Sequence, residues 1–224
     1  MAIEGPFALN GLCALRVARN VADGTPDYGN PKGALMLCGG IQRFVYDFDT
    51  QAGKATLDED ACGTIVVNRR RDDQVLRVNW TLTLLRSVLE FDDVVGAAQL
   101  VTSGGNVIGS IVNAASGCAP QVQPSFSMEL WSEQVDCSDL ADPPYRLNLM
   151  GKCKLTPKGH TKEDATATVT YQGFGYTNKN FGDGPFGQYP SLVGETDWCW
   201  GDFFTDSIPD CPDPLDYIAL PANS

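Results

Sequence analysis

The sequence predicts a mainly β chain: an antiparallel β-sandwich with one short flanking α-helix, extended loops and a C-terminal arm. Three observations predict it. Several runs alternate apolar and polar residues with period two, the pattern of an antiparallel strand with one face in a core and one in water. A single segment carries helical spacing and helix punctuation. The 224 residues, 43% hydrophobic and 20% charged, suffice for one core without a disulfide scaffold.

The strongest strand is Leu76–Leu84, with Leu76, Val78, Trp80, Leu82 and Leu84 on one face and Arg77, Asn79, Thr81 and Thr83 on the other. Phe44, Tyr46 and Phe48 alternate with Val45, Asp47 and Asp49. Phe126, Met128 and Leu130 alternate with Ser127 and Glu129, and Ala165, Ala167, Val169 and Tyr171 with Thr166, Thr168 and Thr170. Less regular strands fit Leu12–Ala18, Ala34–Leu37, Thr64–Val67, Val107–Val112 and Tyr145–Leu155. The helix is expected over Val88–Val95. Ser87 and Glu90 form an S-x-x-E capping box, Val88, Phe91 and Val95 share a face, and Gly96 offers a stop. Ser103-Gly104-Gly105-Asn106 reads as a turn. Asn20–Lys32, Asp136–Pro144 and Asn178–Pro190 read as loops.

Charge excludes one class of partner. Acidic residues number 28 and basic ones 16, a formal −12, which repels nucleic-acid phosphates. After Lys179 there is no Lys or Arg, while eight acids follow, so the last 45 residues stand apart in composition. The expected division is a sandwich domain over 1–190 and an acidic, aromatic extension or arm over 191–224. No apolar run approaches the roughly 20 residues of a membrane span. Met1–Pro6 lacks a basic and an apolar region, so export is not expected.

Chemistry is sparse. The single histidine, His160, lies in Pro157–Glu163, which reads as an exposed turn rather than a general-base position. No G-x-S-x-G elbow occurs, and no spacing singles out a carboxylate pair. Asp47, Asp49 and Asp58 match three calcium-loop positions, but Ala52 stands where that loop needs Gly. The eight cysteines contain no C-x-x-C; most are expected to be small buried hydrophobes in a reducing compartment, with a Cys199–Cys211 disulfide left open. No catalytic residue, metal or cofactor is expected.

The candidates are therefore for interaction. Arg69, Arg70 and Arg71 form the densest basic cluster, read as a solvated hairpin end or an ionic contact to an acidic neighbouring subunit. Asp27 and Tyr28 lie in the loop Asn20–Lys32. Trp198 and Trp200, with Phe204, fall on one face if extended, and read as core, sugar platform or anchor onto a neighbour.

An ordered series of short motifs adds a resemblance. Asp58-Glu59-Asp60-Ala61-Cys62-Gly63 is followed by a strand, by Leu76–Leu84, by Val88-Leu89-Glu90-Phe91 and by Ser103-Gly104-Gly105-Asn106-Val107-Ile108-Gly109. Then come Glu129-Leu130-Trp131, the strand from Tyr145, Thr161-Lys162-Glu163-Asp164-Ala165, and Gly173, Gly175 and Asn180 to Pro185, with Phe181 where Trp is usual. Over residues 58–190 this order resembles the long-tailed (siphovirus-type) bacteriophage major tail tube proteins of actinobacterial phages. The resemblance implies a non-enzymatic virion protein assembled in the bacterial host cytoplasm. It implies rings of six copies stacked into a tail tube around a tape-measure protein, with tail terminator and tail-tip proteins at the ends. DNA would cross the lumen without specific binding. Such rings, at a formal −12 per copy, suit a conduit that must not hold DNA. On this reading the loop Asn20–Lys32 and the segment after Pro190 reach neighbouring copies. The alternative is a non-catalytic carbohydrate-binding β-sandwich using Trp198, Trp200 and Tyr189; a carboxylate-pair hydrolase is a third reading.

Overall fold

The structure, a computed structural model, describes residues 7–9, 11–25, 27, 34–53, 55–59, 65–70, 73–112, 124–133, 145–162, 168–184, 189 and 198–210, of which 7–9, 55–59, 65–70 and 157–162 by backbone alone. The elements are β1 (Phe7–Leu9), β2 (Leu12–Arg19), β3 (Ala34–Leu37), β4 (Ile41–Gln51), β5 (Ala55–Glu59), β6 (Ile65–Arg70) and β7 (Gln74–Leu84). Then follow α1 (Leu89–Val94), β8 (Gln99–Ser103), β9 (Asn106–Ile111), β10 (Phe126–Glu133), β11 (Tyr145–Lys162), β12 (Val169–Gly175) and β13 (Gly201–Thr205). The fold is mainly antiparallel β, as the alternation predicts.

One large sheet runs β1-β4-β7-β12-β11-β10-β2-β3, with β13 also on β11. It curls over itself. Strands β7 and β10 are three strand spacings apart, about 14 Å on a flat sheet. Yet the rings of Trp80 on β7 and Phe126 on β10 have centroids only 6.1 Å apart. The concave faces thus meet as the two layers of a sandwich. Between them lie Leu15, Val17, Phe44, Val78, Trp80, Leu82, Leu84, Phe126, Met128, Leu130, Met150, Val169 and Tyr171. Gly173, opposite Trp80 in the β12–β7 register, lets the indole lie on the backbone; a Cβ there would overlap the ring and the carbonyl of Lys154.

The helix begins one residue later than the capping box requires. Val88 is the N-cap residue and no side chain caps the end, so Glu90 falls at the second helical position and the Ser87 pairing is not made. The stop is as expected: Gly96 has φ +77°, and a Cβ there would fall 2.5 Å from Pro124 Cγ. Phe91, Val94 and Val95 enter the core, and Phe91 meets Tyr171 edge-on at 4.9 Å. Buried Asp92 accepts a 2.6 Å hydrogen bond from the Tyr171 hydroxyl, tying α1 to β12.

Two sequence expectations change here. The segment Pro157–Lys162, His160 included, is not a turn: β11 continues through it, with His160 opposite Tyr171. The strand absorbs Pro157 by an irregularity between Leu155 and His160, where the ladder needs no proline N–H. Strand β10 is not one-sided either. Every residue from Phe126 to Ser132 is buried, Ser127 and Glu129 included. A second cluster of Ala14, Met36, Trp131, Leu147, Leu149, Phe181 and Tyr189, joined by Trp198, Phe203 and Ile208, covers its far face.

Candidate functional site

Two ribbons stand apart from the large sheet, and they are the first candidates for contact with other molecules. Among the described residues strands β5 and β6 pair only with each other, and they are inserted between β4 and β7, whose ladder reaches Gln51↔Gln74. The backbone N–H of Gly53 donates to Asp73 Oδ1 at 2.8 Å and pins the neck of this insertion. Arg69 and Arg70 lie in β6 opposite Thr56 and Ala55, at the root of the ribbon rather than at its tip. That corrects the reading of a hairpin end. Arg71 lies outside the described residues.

The second ribbon is β8–β9, joined by Gly104 and Gly105 at φ +59° and +84°, the signs a two-residue hairpin of matching twist requires. Its root is held by α1: the N–H of Leu100 donates to Asp93 Oδ1 at 3.3 Å. Arg19 of β2 donates to the Asp93 backbone carbonyl, so the anchor is itself fixed to the sheet. Val107 and Ile108 are neighbours and point to opposite faces, yet they are 39% and 65% exposed. Ile111 and Val112 are 50% and 75% exposed.

The loop candidates divide. Residues 20–25 are tied to the chain's own body. Asn178 Nδ2 donates to the carbonyls of Gly24 (2.8 Å) and Gly151 (2.9 Å), Asn20 Nδ2 to Gly151 (3.1 Å), and Asn180 Nδ2 to Asp23 (2.8 Å). Thr25 N–H donates to Asp23 Oδ1, and that bond holds the Asp23 carboxyl below its usual range. Asp27 is half-buried and its N–H donates to the Arg19 carbonyl. Tyr28 lies outside the described residues.

Trp198 and Trp200 do not share a face. They precede β13 in a bend, so the alternation of a strand does not apply to them. Trp200 enters the seam between the layers, stacking on Tyr46 at 4.1 Å with Phe44 and Phe48 at 6.4 and 6.3 Å. Trp198 turns to the opposite cluster, edge-on to Phe181 at 5.3 Å. Phe203 joins that cluster, and Phe204 is 50% exposed. Within the expected arm 191–224, β13 pairs with residues Tyr145–Leu149 of β11, and Arg146 clamps Asp202 with Nε at 2.7 Å from Oδ1.

Sequence reasoning missed a buried ionic site. Arg16 on β2 and Glu129 on β10 are directly paired in the register, form an ion pair, and are 0% and 2% exposed. Tyr189 donates its hydroxyl to the other Glu129 oxygen, and the Arg16 guanidinium lies 5.3 Å from the Trp131 ring centroid. The parity of Glu129 pointed to water, and nothing local signalled the layer that covers it. A shallow cleft of about 390 Å³ lies on the outer face of the other layer, lined among others by Val45, Asp47, Asn79, Thr81, Gln172 and Phe174. Its polar groups are strand-face residues, and Arg77 lies over Phe174 at 4.1 Å while pairing with Asp49 at 2.8 Å.

The described cysteines follow expectation in part: Cys153 and Cys199 are free and buried. Cys38 is disulfide-bonded to a partner outside the described residues, whereas Cys13, Cys153 and Cys199 are free, so Cys199 does not pair with Cys211. Burial pushes the thiols of Cys153 and Cys199 up, away from the thiolate a nucleophile uses. Among the described residues no three His, Cys, Asp or Glu side chains cluster to hold a metal ion. No protein-family model matches the chain, and no curated protein matches it.

Proposed function

We propose that this chain is a structural subunit that assembles with copies of itself into a hollow tube, as the major tail tube proteins of long-tailed phages do. In this reading six copies form a ring and rings stack around a tape-measure protein. Tail terminator and tail-tip proteins close the ends, and DNA passes through the lumen during ejection. The protein belongs to the virion tail and performs no chemistry.

One observation carries the reading: an antiparallel sandwich projects two ribbons off its large sheet, with strand edges that pair with nothing else among the described residues. Such edges are aggregation templates in a monomer and joining surfaces in an assembly. The acidic balance adds support, since a −12 subunit does not retain a polyanion that must pass. The carbohydrate reading loses its platform. Trp200 is stacked on Tyr46, Trp198 abuts Phe181, and Tyr189 is 3% exposed with its hydroxyl on Glu129.

Sedimentation velocity on the purified protein over a concentration series tests the proposal. Species at and above six copies, growing with concentration, are expected. A monomer at every concentration that also binds glycans on an array would replace it with the carbohydrate reading.

A further inference from the structure

The ribbon β8–β9 belongs to an uncharged stretch. From Val94 to Met128 there is no Asp, Glu, Lys, Arg or His, although one residue in five of the whole chain is charged. Within it, Val107, Ile108 and Ile111 stand exposed on the ribbon and Val112 just past its end; the ribbon's root is anchored by Asp93 and Arg19, and its two faces are both open near its tip. Natural proteins protect exposed edges with charges or proline, and this ribbon has neither. A two-stranded ribbon of this kind is marginal in water by itself, so a neighbour that covers it stabilises both.

We propose that the β8–β9 ribbon is the surface by which one copy of this chain seats on another, through Ile108, Ile111 and Val112 and the open backbone edges. Charge selects a second copy as the occupant. Two copies at −12 each repel wherever their acidic surfaces meet, and an uncharged apolar ribbon is a face on which they approach without that cost. A basic partner would gain more from the acidic surfaces, and a polyanion has no cation on the ribbon to hold it. The ribbon docks on a different patch of the neighbour rather than on its own counterpart, because head-to-tail contacts close rings. This inference rests on the self-assembly proposed above and names the contact within it.

The test compares wild type with Ile108→Asp, Val112→Asp and, as a control on the body, Leu85→Asp, whose side chain is 51% exposed. Each is followed by multi-angle light scattering across concentration, with circular dichroism and thermal melting to verify the fold. The expected result is that Ile108→Asp and Val112→Asp keep the wild-type melt but need at least about tenfold more protein to assemble, since each would carry an unpaired charge into the contact. Leu85→Asp should assemble as wild type does. Wild type assembling while both ribbon variants assemble equally well would overturn the ribbon assignment and leave the tube reading intact. Wild type remaining monomeric throughout would overturn both.

Discussion

Strands β7 and β10 carry the same alternation in sequence, and only β7 keeps water near its polar face. On β7, Asn79, Thr81 and Thr83 are half-buried on the outer surface while Val78, Trp80, Leu82 and Leu84 are buried. On β10, both faces are buried from Phe126 to Ser132. The difference lies far away in sequence. Phe181, Tyr189, Trp198, Phe203 and Ile208 lie over the second layer, and among the described residues no comparable apolar cluster lies over the first. A polar residue beneath a cover must be paired, and Glu129 pairs with both Arg16 and Tyr189. Alternation thus reports which parity is polar, and it does not report whether that parity meets water.

The comparison is broken most strongly at Glu129. Glu129→Ala leaves the Arg16 charge buried without its carboxylate and should cost about 3–5 kcal/mol in urea unfolding. The matching change on β7, Thr81→Ala, should stay within about 0.5 kcal/mol. Equal costs would dissolve the distinction between the two layers.

Trp200 comes next. It closes the seam between layers against Tyr46, and because it is half-buried, Trp200→Ala should cost about 2–3 kcal/mol, below the roughly 3–5 of a fully buried Trp. A loss under about 0.5 kcal/mol would mean that the segment before β13 is not part of the sandwich.

The Tyr171–Asp92 contact makes a pH prediction. Burial first, and Asp92 second, push the Tyr171 hydroxyl well above its ordinary range. A raised folded-state pKa means that the native state holds the proton more tightly than the unfolded chain. The contribution is therefore full below about pH 10, the unfolded value, and is lost as pH rises above it. Tyr171→Phe should lower stability at neutral pH by about 1.5 kcal/mol and flatten the alkaline loss. An alkaline unfolding curve unchanged by Tyr171→Phe would contradict the assignment. The smallest effect is expected at Arg146–Asp202, which is exposed: Arg146→Ala should cost no more than about 1 kcal/mol, less in high salt.

Much of the sandwich was legible because its signals are local. The alternation of Leu76–Leu84 and Phe44–Phe48, the helix spacing around Phe91 and the Gly104–Gly105 turn all appear in the expected elements. Leu76 is the exception, 50% exposed near the start of β7, beyond the reach of the core. What failed depends on distant chain. Ser127 and Glu129 were hidden by a cover more than fifty positions further along the chain, and Trp198 and Trp200 were separated by a bend that parity cannot see. The run of β11 through Pro157 was masked by a residue that normally ends strands. Of the candidate site, the arginine cluster was legible as a cluster, but its position at a ribbon root follows from the β5–β6 register. The ribbon β8–β9 was legible as a strand and turn, and its exposure was not, since Val107 and Ile108 look like core residues until both faces are found open.

The central claim, that these subunits build a tube, is tested most directly by negative-stain electron microscopy of the purified protein across a concentration series. The account predicts hollow tubes or stacked six-fold rings that become more abundant with concentration and with salt, which screens repulsion between acidic copies. Isolated monomers at every concentration and salt level would contradict it.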